Sequence, residues 1–197
     1  MGLAQLDDQE AGPGRLVRVL EDDMPYHESP LSVVAKGAIA GLAGTAAITM
    51  AMKRGPDLLQ QLGLAASQSP AAEAQKIAKS AGQPTEKLAE KVTTGVLDRP
   101  IAEDTRQVAG QAVHWGYGAA WGALYGIVQA SVRWPSLVHG TVFGGVVGLV
   151  ASTLVPAMRL TPPPTQQPMP ANAMMMVYHL LYGWVTALTF QLLSGTD

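Results

Sequence analysis

Two histidines in the apolar C-terminal part of the chain are the side chains best suited to chemistry. His114 and His179 each open the pattern His-x-x-Tyr-Gly within a predicted membrane helix. An imidazole in hydrocarbon must find a partner. Each ring is either neutral and hydrogen-bonded to a carbonyl or hydroxyl, or it is an axial ligand to a haem or chlorophyll-type metal or a proton-relay group. The sequence leaves these alternatives open.

No carboxylate accompanies these histidines, because positions 105 to 196 hold no Asp or Glu to orient an imidazole or to take its proton. A phosphate-binding Gly loop, a Gly-x-Ser-x-Gly motif and a metal-spaced Cys/His set are also missing. We therefore expect a protein that is not an enzyme and binds no metal ion at a dedicated site. A haem or chlorophyll-type pigment is the alternative for a cofactor, and His139, near a predicted helix end, is expected at the membrane interface.

Charge is distributed very unevenly along the 197 residues. The chain has 13 Lys+Arg and 15 Asp+Glu, yet only Arg133, Arg159 and Asp197 lie at or after position 107. A soluble domain has roughly a quarter of its residues charged, so this half of the chain is predicted to be embedded in a membrane. The net charge of -2 argues against nucleic acid as a partner, and the absence of Cys excludes a disulfide scaffold.

The elements that position the histidines follow from this pattern. We predict an all-α polytopic membrane protein with four transmembrane helices in a Gly-rich bundle, each long enough for a ~30 Å hydrocarbon core. Short amphipathic helices on the membrane surface are expected beside them, one ending at Gly82 and one with Leu88, Val92 and Val96 in a stripe. The predicted segments are an acidic tail 1–30, span 31–53, a polar insert 54–106, spans 107–132 and 137–158, a Pro-rich non-helical connector 159–171, and span 172–193.

An internal repeat is predicted from matching residues in the spans. The His114 to Gly118 pattern recurs at His179 to Gly183, and Gly37 and Gly41 match Gly140 and Gly144, as in a tandem repeat of two helices. Small residues four positions apart let helix backbones approach closely in a membrane. Three helices have such faces, so one is expected to remain for a neighbour's helix. The predicted packing glycines are Gly37, Gly41, Gly118, Gly122, Gly126, Gly140, Gly144 and Gly148.

Two stretches of the spans resemble a known family. They are Gly37-Ala-Ile-Ala-Gly41-Leu-Ala-Gly44-Thr45 and His114-Trp-Gly-Tyr117-Gly118-Ala-Ala-Trp-Gly122-Ala-Leu-Tyr125-Gly126. Together they look like the YagU-like family of small bacterial inner-membrane proteins, over residues 31–193. The resemblance implies a polytopic protein of the bacterial inner (cytoplasmic) membrane, and it implies no activity or site residues.

These observations predict a non-catalytic structural or accessory subunit of a larger membrane complex, of respiratory or photosynthetic type, in contact with lipid and with other subunits. The alternatives are a small stand-alone transporter or channel and a haem- or chlorophyll-carrying subunit. Transporters usually have broken helices or charges at the midplane, and these spans have neither. The insert side holds 9 Lys+Arg against 4 on the side of the termini, which favours termini outside the cytoplasm.

Overall fold

The computed structural model describes residues 29–61, 63, 84–98, 102–132 and 134–195. Regular structure in these ranges is entirely helical, without a strand, which confirms the predicted all-α class for this part of the chain. The acidic tail up to residue 28 and the surface helix predicted to end at Gly82 lie outside the described residues. The elements are α1 (Pro30–Gln61), α2 (Pro84–Leu97), α3 (Glu103–Ser131), α4 (Ser136–Ala157), a 3-10 turn (Pro164–Gln166) and α5 (Met169–Ser194).

Three of the helices are long and apolar enough to cross a membrane: Pro30–Gly55 of α1, Ser136–Ala157 of α4 and Ala171–Ser194 of α5. No more than 33% of each apolar window is buried inside the protein. Large apolar side chains therefore cover the outside of these helices as well as the inside, which is the pattern of a segment surrounded by lipid. Examples are Ile39, Leu42, Val142, Val146, Leu149 and Leu188.

The helix over the second predicted span differs from these three. Span 107–132 corresponds to α3, which begins four residues earlier, at Glu103, and ends at Ser131. Acidic and basic residues in its first turns, together with the exposed Gln107 and Gln111, make α3 more polar than the other long helices. By length and hydropathy it is not among the helices apolar enough to cross a membrane.

Two helix boundaries differ from the sequence prediction, which treats proline as a residue that ends helices. The first helix starts as predicted, with Ser29 Oγ accepting a hydrogen bond from Ser32 N at 3.1 Å, but it continues through Gly55 and Pro56 to Gln61. The connector 159–171 is also partly helical, since it holds the 3-10 turn and the first residues of α5. Pro164 and Pro170 stand in the first turns of these two elements, where the fixed φ of proline suits a helix and its missing N–H matters little.

The long helices pack in antiparallel pairs. In the first hairpin α1 packs against α3, in the second α4 packs against α5, and α1 also packs against α5. Consecutive long helices alternate in direction, so α1 and α4 run parallel to each other. The short helix α2 packs on α3, where Ala89 is buried and Glu86 lies against Gly110.

Glycines lie where the helices of each hairpin cross. A Cβ added at Gly122 would lie 2.5 Å from Gly41 Cα, and one added at Gly183 would lie 2.7 Å from Gly144 Cα. Real Cβ atoms do not approach that closely, so both crossings require glycine. The eight predicted packing glycines all have such neighbours within the chain, so the rows that they form are used inside the molecule.

The two crossings also correct the register of the repeat. Gly37 and Gly41 contact Gly122 as Gly140 and Gly144 contact Gly183. Gly122, rather than Gly118, is therefore the counterpart of Gly183, one helical turn away from the match that the sequence suggests. In this register His179 corresponds to Gly118 and His114 to Met175, so the two histidines do not occupy equivalent positions.

Candidate functional site: polar groups between the long helices

His114 lies on α3 and contacts the first helix. Its Nε2 is 3.3 Å from Thr49 Oγ1, and the Thr49 hydroxyl donates its own proton to Thr45 O at 2.8 Å. Because that hydroxyl has only one proton, it can only accept from the imidazole, and His114 Nε2 carries the hydrogen. The site therefore places an imidazole N–H donor of α3 against a pair of threonines on α1, Thr45 and Thr49.

His179 lies on α5 and has a different environment. Its Nδ1 is 2.8 Å from Met175 O, and since a carbonyl oxygen only accepts, Nδ1 is the donor. The residue is half-buried with its Cβ beside Gly148 of α4, and its Nε2 forms no hydrogen bond with the described residues. A histidine that ligates a metal commonly donates its other ring N–H to a backbone carbonyl in this way.

The geometry separates the two ligand candidates. His114 bonds to α1, whereas His179 lies against α4, and each has the carbonyl or hydroxyl partner that the hydrogen-bonded alternative requires. Among the described residues no group of three or more His, Cys, Asp or Glu side chains could hold a metal ion. Ligation of a haem or pigment by either ring stays a prediction.

A second polar cluster lies at the opposite end of α3, close to the turn before α4. The side chain of His139 is only 5% exposed, and its Nδ1 hydrogen-bonds Gln129 Oε1, which also accepts from Tyr125 Oη at 3.4 Å. Gln129 Nε2 in turn donates to Trp134 O at 3.2 Å. His139 is thus enclosed by protein side chains, and the network fixes the turn through α3, α4 and the connecting residues.

Sequence reasoning missed this cluster. It assigned His139 to the membrane interface and did not single out Gln129, although a lone Gln near the end of an apolar helix is an available signal. The two residues are ten positions apart on different helices, so only the tight turn at Trp134 brings them together. The Tyr125 ring, which is fully buried, stacks on His139 with 4.7 Å between ring centroids.

Tyrosine 182 connects the two hairpins through the middle of the molecule. Its hydroxyl donates to Gly118 O at 2.7 Å, and its ring packs beside Phe143. One turn further along α5, the fully buried Thr186 lies against Gly44 of α1. On an exposed side of α5, Trp184 Nε1 donates to Thr141 Oγ1 of α4 at 2.8 Å, which joins these two helices. The interior polar groups therefore mainly tie helices to one another.

No protein-family model matches the chain, and no curated protein or solved structure is significantly similar to it. The resemblance to the YagU-like family stays a prediction.

Proposed function

We propose that the chain crosses the membrane four times, with α3 as the second span in chain order. The topology supports this, since α1 and α4 run in the same direction and the chain must return across the membrane between them. The 29 residues of α3 extend about 43 Å and lie antiparallel along α1, which is the path such a return requires. The glycine crossings then hold a four-span bundle together.

We propose further that the protein is a non-catalytic accessory subunit of a larger membrane complex. The observation that carries this proposal is the outward face of α3, where Ala112, Gly116 and Ala120 form an exposed row beside the exposed Gln111. A Cβ added at Gly116 would meet no atom within 4 Å. Small residues and a Gln on one face of a polar span suit a neighbouring helix better than they suit lipid.

A photo-crosslinking amino acid at Gly116 tests this proposal in membranes of the source cell. We expect protein adducts from Gly116, and only lipid adducts from the same probe at Val146, which lies on the exposed apolar face of α4. A Gly116→Leu variant should lower the native mass of the particle in mild detergent without lowering its melting temperature. A monodisperse monomer with lipid adducts at both positions would contradict the proposal and favour the transporter or channel.

We propose the bacterial inner membrane as the location, with both termini outside the cytoplasm. The even number of spans puts the two termini on one side, and the larger number of Lys and Arg on the insert side favours that side as cytoplasmic. A reporter active only in the cytoplasm should be inactive after Asp197 and active after Gly63. The reverse result would invert the orientation.

A second candidate, a haem- or chlorophyll-carrying subunit, is favoured by one feature of His179. The hydrogen bond from Nδ1 to Met175 O orients the ring and leaves Nε2 as the lone-pair nitrogen. A visible absorption spectrum of the protein purified from its source should show a Soret or chlorophyll band that His179→Phe removes and His114→Phe leaves in place. A colourless preparation excludes this candidate.

A further inference from the structure

A pocket of about 470 Å³ lies where α4 ends and the Pro-rich connector begins. Lys87 of α2 forms one wall, and Leu160, which is only 2% exposed, lies at its base. Arg159, Thr161 and prolines form the remainder, so this shallow, open pocket presents positive charge beside an apolar surface. The other lining residues are Pro156, Arg159, Thr161, Pro162 and Pro163.

Two cations, Lys87 and Arg159, line this pocket, and Lys91 lies one turn along α2 from Lys87. Lys87 Nζ is 3.5 Å from Leu160 O, Lys91 Nζ donates to Met158 O at 2.6 Å, and Arg159 is exposed at the rim. The two lysines thereby bind carbonyls at the C-terminal end of α4, where cations are favoured. Arg159 forms no ion pair or side-chain hydrogen bond with any described residue, so its guanidinium is available to a ligand.

The acids of α2 do not neutralise this charge. Glu90 forms an ion pair with Arg106 of α3 at 3.2 Å, and Glu86 lies against Gly110 on the same helix. The acidic face of α2 is therefore turned to α3, while its lysines are turned to the connector. The two faces of α2 thus differ in the sign of their charge. Lys87 and Lys91 lie on the positive face, close to Arg159.

The position of the pocket along the spans indicates the ligand. The apolar segment of α4 ends at Ala157 and that of α5 starts at Ala171, so residues 158–170 lie at the level of the lipid headgroups when the spans cross a bilayer. Clustered Lys and Arg at this level bind anionic headgroups, and a guanidinium suits phosphate geometry. We propose that this pocket binds the phosphate of an anionic phospholipid. The proposal depends on membrane insertion and not on the accessory-subunit role.

Lipid retention by the purified full-length chain tests the proposal. The chain is placed in phosphatidylcholine nanodiscs with increasing fractions of phosphatidylglycerol, and bound lipid is counted by native mass spectrometry after release. We expect one phosphatidylglycerol to be retained in preference to phosphatidylcholine. Arg159→Asn, which suits the left-handed φ of 56° at this position, and Lys87→Gln should each weaken that preference about fivefold.

Lys36→Gln is the matched control, because it removes one positive charge near the other end of α1. It should leave the preference for phosphatidylglycerol unchanged, and Arg159→Lys should retain most of it. Equal retention of both lipids by the unaltered chain, or an unchanged preference in both Arg159→Asn and Lys87→Gln at normal melting temperatures, would overturn the proposal. Displacement of the lipid by millimolar inorganic phosphate would show instead that the pocket takes a soluble anion, and would overturn it as well.

Discussion

Two of the contacts between the hairpins, that of α1 with α5 and that of α3 with α4, are built in opposite ways. Where α1 meets α5, Ala40 and Gly44 let the backbones approach, and a Cβ added at Gly44 would lie 2.7 Å from the Tyr182 ring. Where α3 meets α4, Phe143 and Val147 occupy the positions that correspond to Ala40 and Gly44. There the helices meet through rings, with the centroid of Phe143 5.0 Å from that of Tyr125.

This difference shows how one pair of hairpins yields an asymmetric molecule. The crossing inside each hairpin uses glycine in the same way, so the repeat is preserved where backbones touch. At two corresponding positions α1 has small residues and α4 has large ones. As a result α1 and α5 pack closely, whereas α3 and α4 are further apart. The wide contact is where the aromatic core collects, around the fully buried Tyr125.

The largest effect is expected at the glycine crossing of α1 and α3 inside the first hairpin. Gly122→Val would place a Cβ 2.5 Å from Gly41 Cα and 2.6 Å from Gly41 N, so the backbones of α1 and α3 must separate. We expect a loss of at least about 4 kcal/mol of stability, or failure to fold, in a denaturant titration in mild detergent. Gly116→Val in the same helix is the control, because its Cβ meets nothing, and it should unfold like the unaltered chain.

The contact between α3 and α4 should be destabilised by a cavity rather than by overpacking. Phe143 is 9% exposed and touches Trp121, Tyr125 and Tyr182, so Phe143→Ala opens a cavity between α3 and α4. We expect destabilisation of about 3 kcal/mol in the same titration. Val142→Ala, on the exposed side of α4, should have little effect. Equal losses for the two variants would show that aromatic packing does not hold this contact.

A smaller effect is expected where Tyr182 bridges the hairpins. Tyr182→Phe removes the hydroxyl that donates to Gly118 O at 2.7 Å but keeps the ring in place. The loss should be about 1 kcal/mol, since hydrogen bonds between membrane helices are individually modest. Tyr117→Phe is the matched control, with a ring that is 40% exposed. A loss as large as that of Phe143→Ala would mean that the hydroxyl has a further role.

The sequence predicts those parts of the structure that depend on local composition. The scarcity of charge after position 107 predicts the apolar helices α4 and α5, and Ser29-Pro30 predicts the start of α1. Glycines four positions apart predict which faces meet, because only glycine allows that approach. The sequence indicates the polarity of α3 less clearly, because the exposed Gln107 and Gln111 stand among its glycines and alanines.

What depends on the partner helix could not be predicted. The His-x-x-Tyr-Gly repeat aligns His114 with His179, but the backbone contacts align Gly122 with Gly183. The sequence match between side chains therefore concealed the register set by backbone packing. The His139 and Gln129 contact has the same origin, since each residue alone is ordinary and only the turn makes them a pair.

The smallest effect is expected for the hydrogen bond between His114 and Thr49 inside the first hairpin. The atoms are 3.3 Å apart and the Thr49 proton is directed to Thr45 O, so the imidazole donates a single rather long bond. A double-mutant cycle of His114→Ala and Thr49→Val should give a coupling of about 0.6 kcal/mol, the mean for such bonds between membrane helices. Thr49→Ser should retain the coupling because it keeps the hydroxyl.

A parallel cycle of His114→Ala with Thr153→Val controls for indirect effects, because Thr153 is exposed on α4 and bonds within its own helix. Its coupling should be zero. If the coupling of His114 with Thr49 is also zero while His114→Ala alone costs more than about 2 kcal/mol, the stabilising partner of the imidazole is not the threonine. His114, rather than His179, would then become the ring to test as a metal ligand. Its hydrogen bond to Thr49 would no longer explain why it differs from His179.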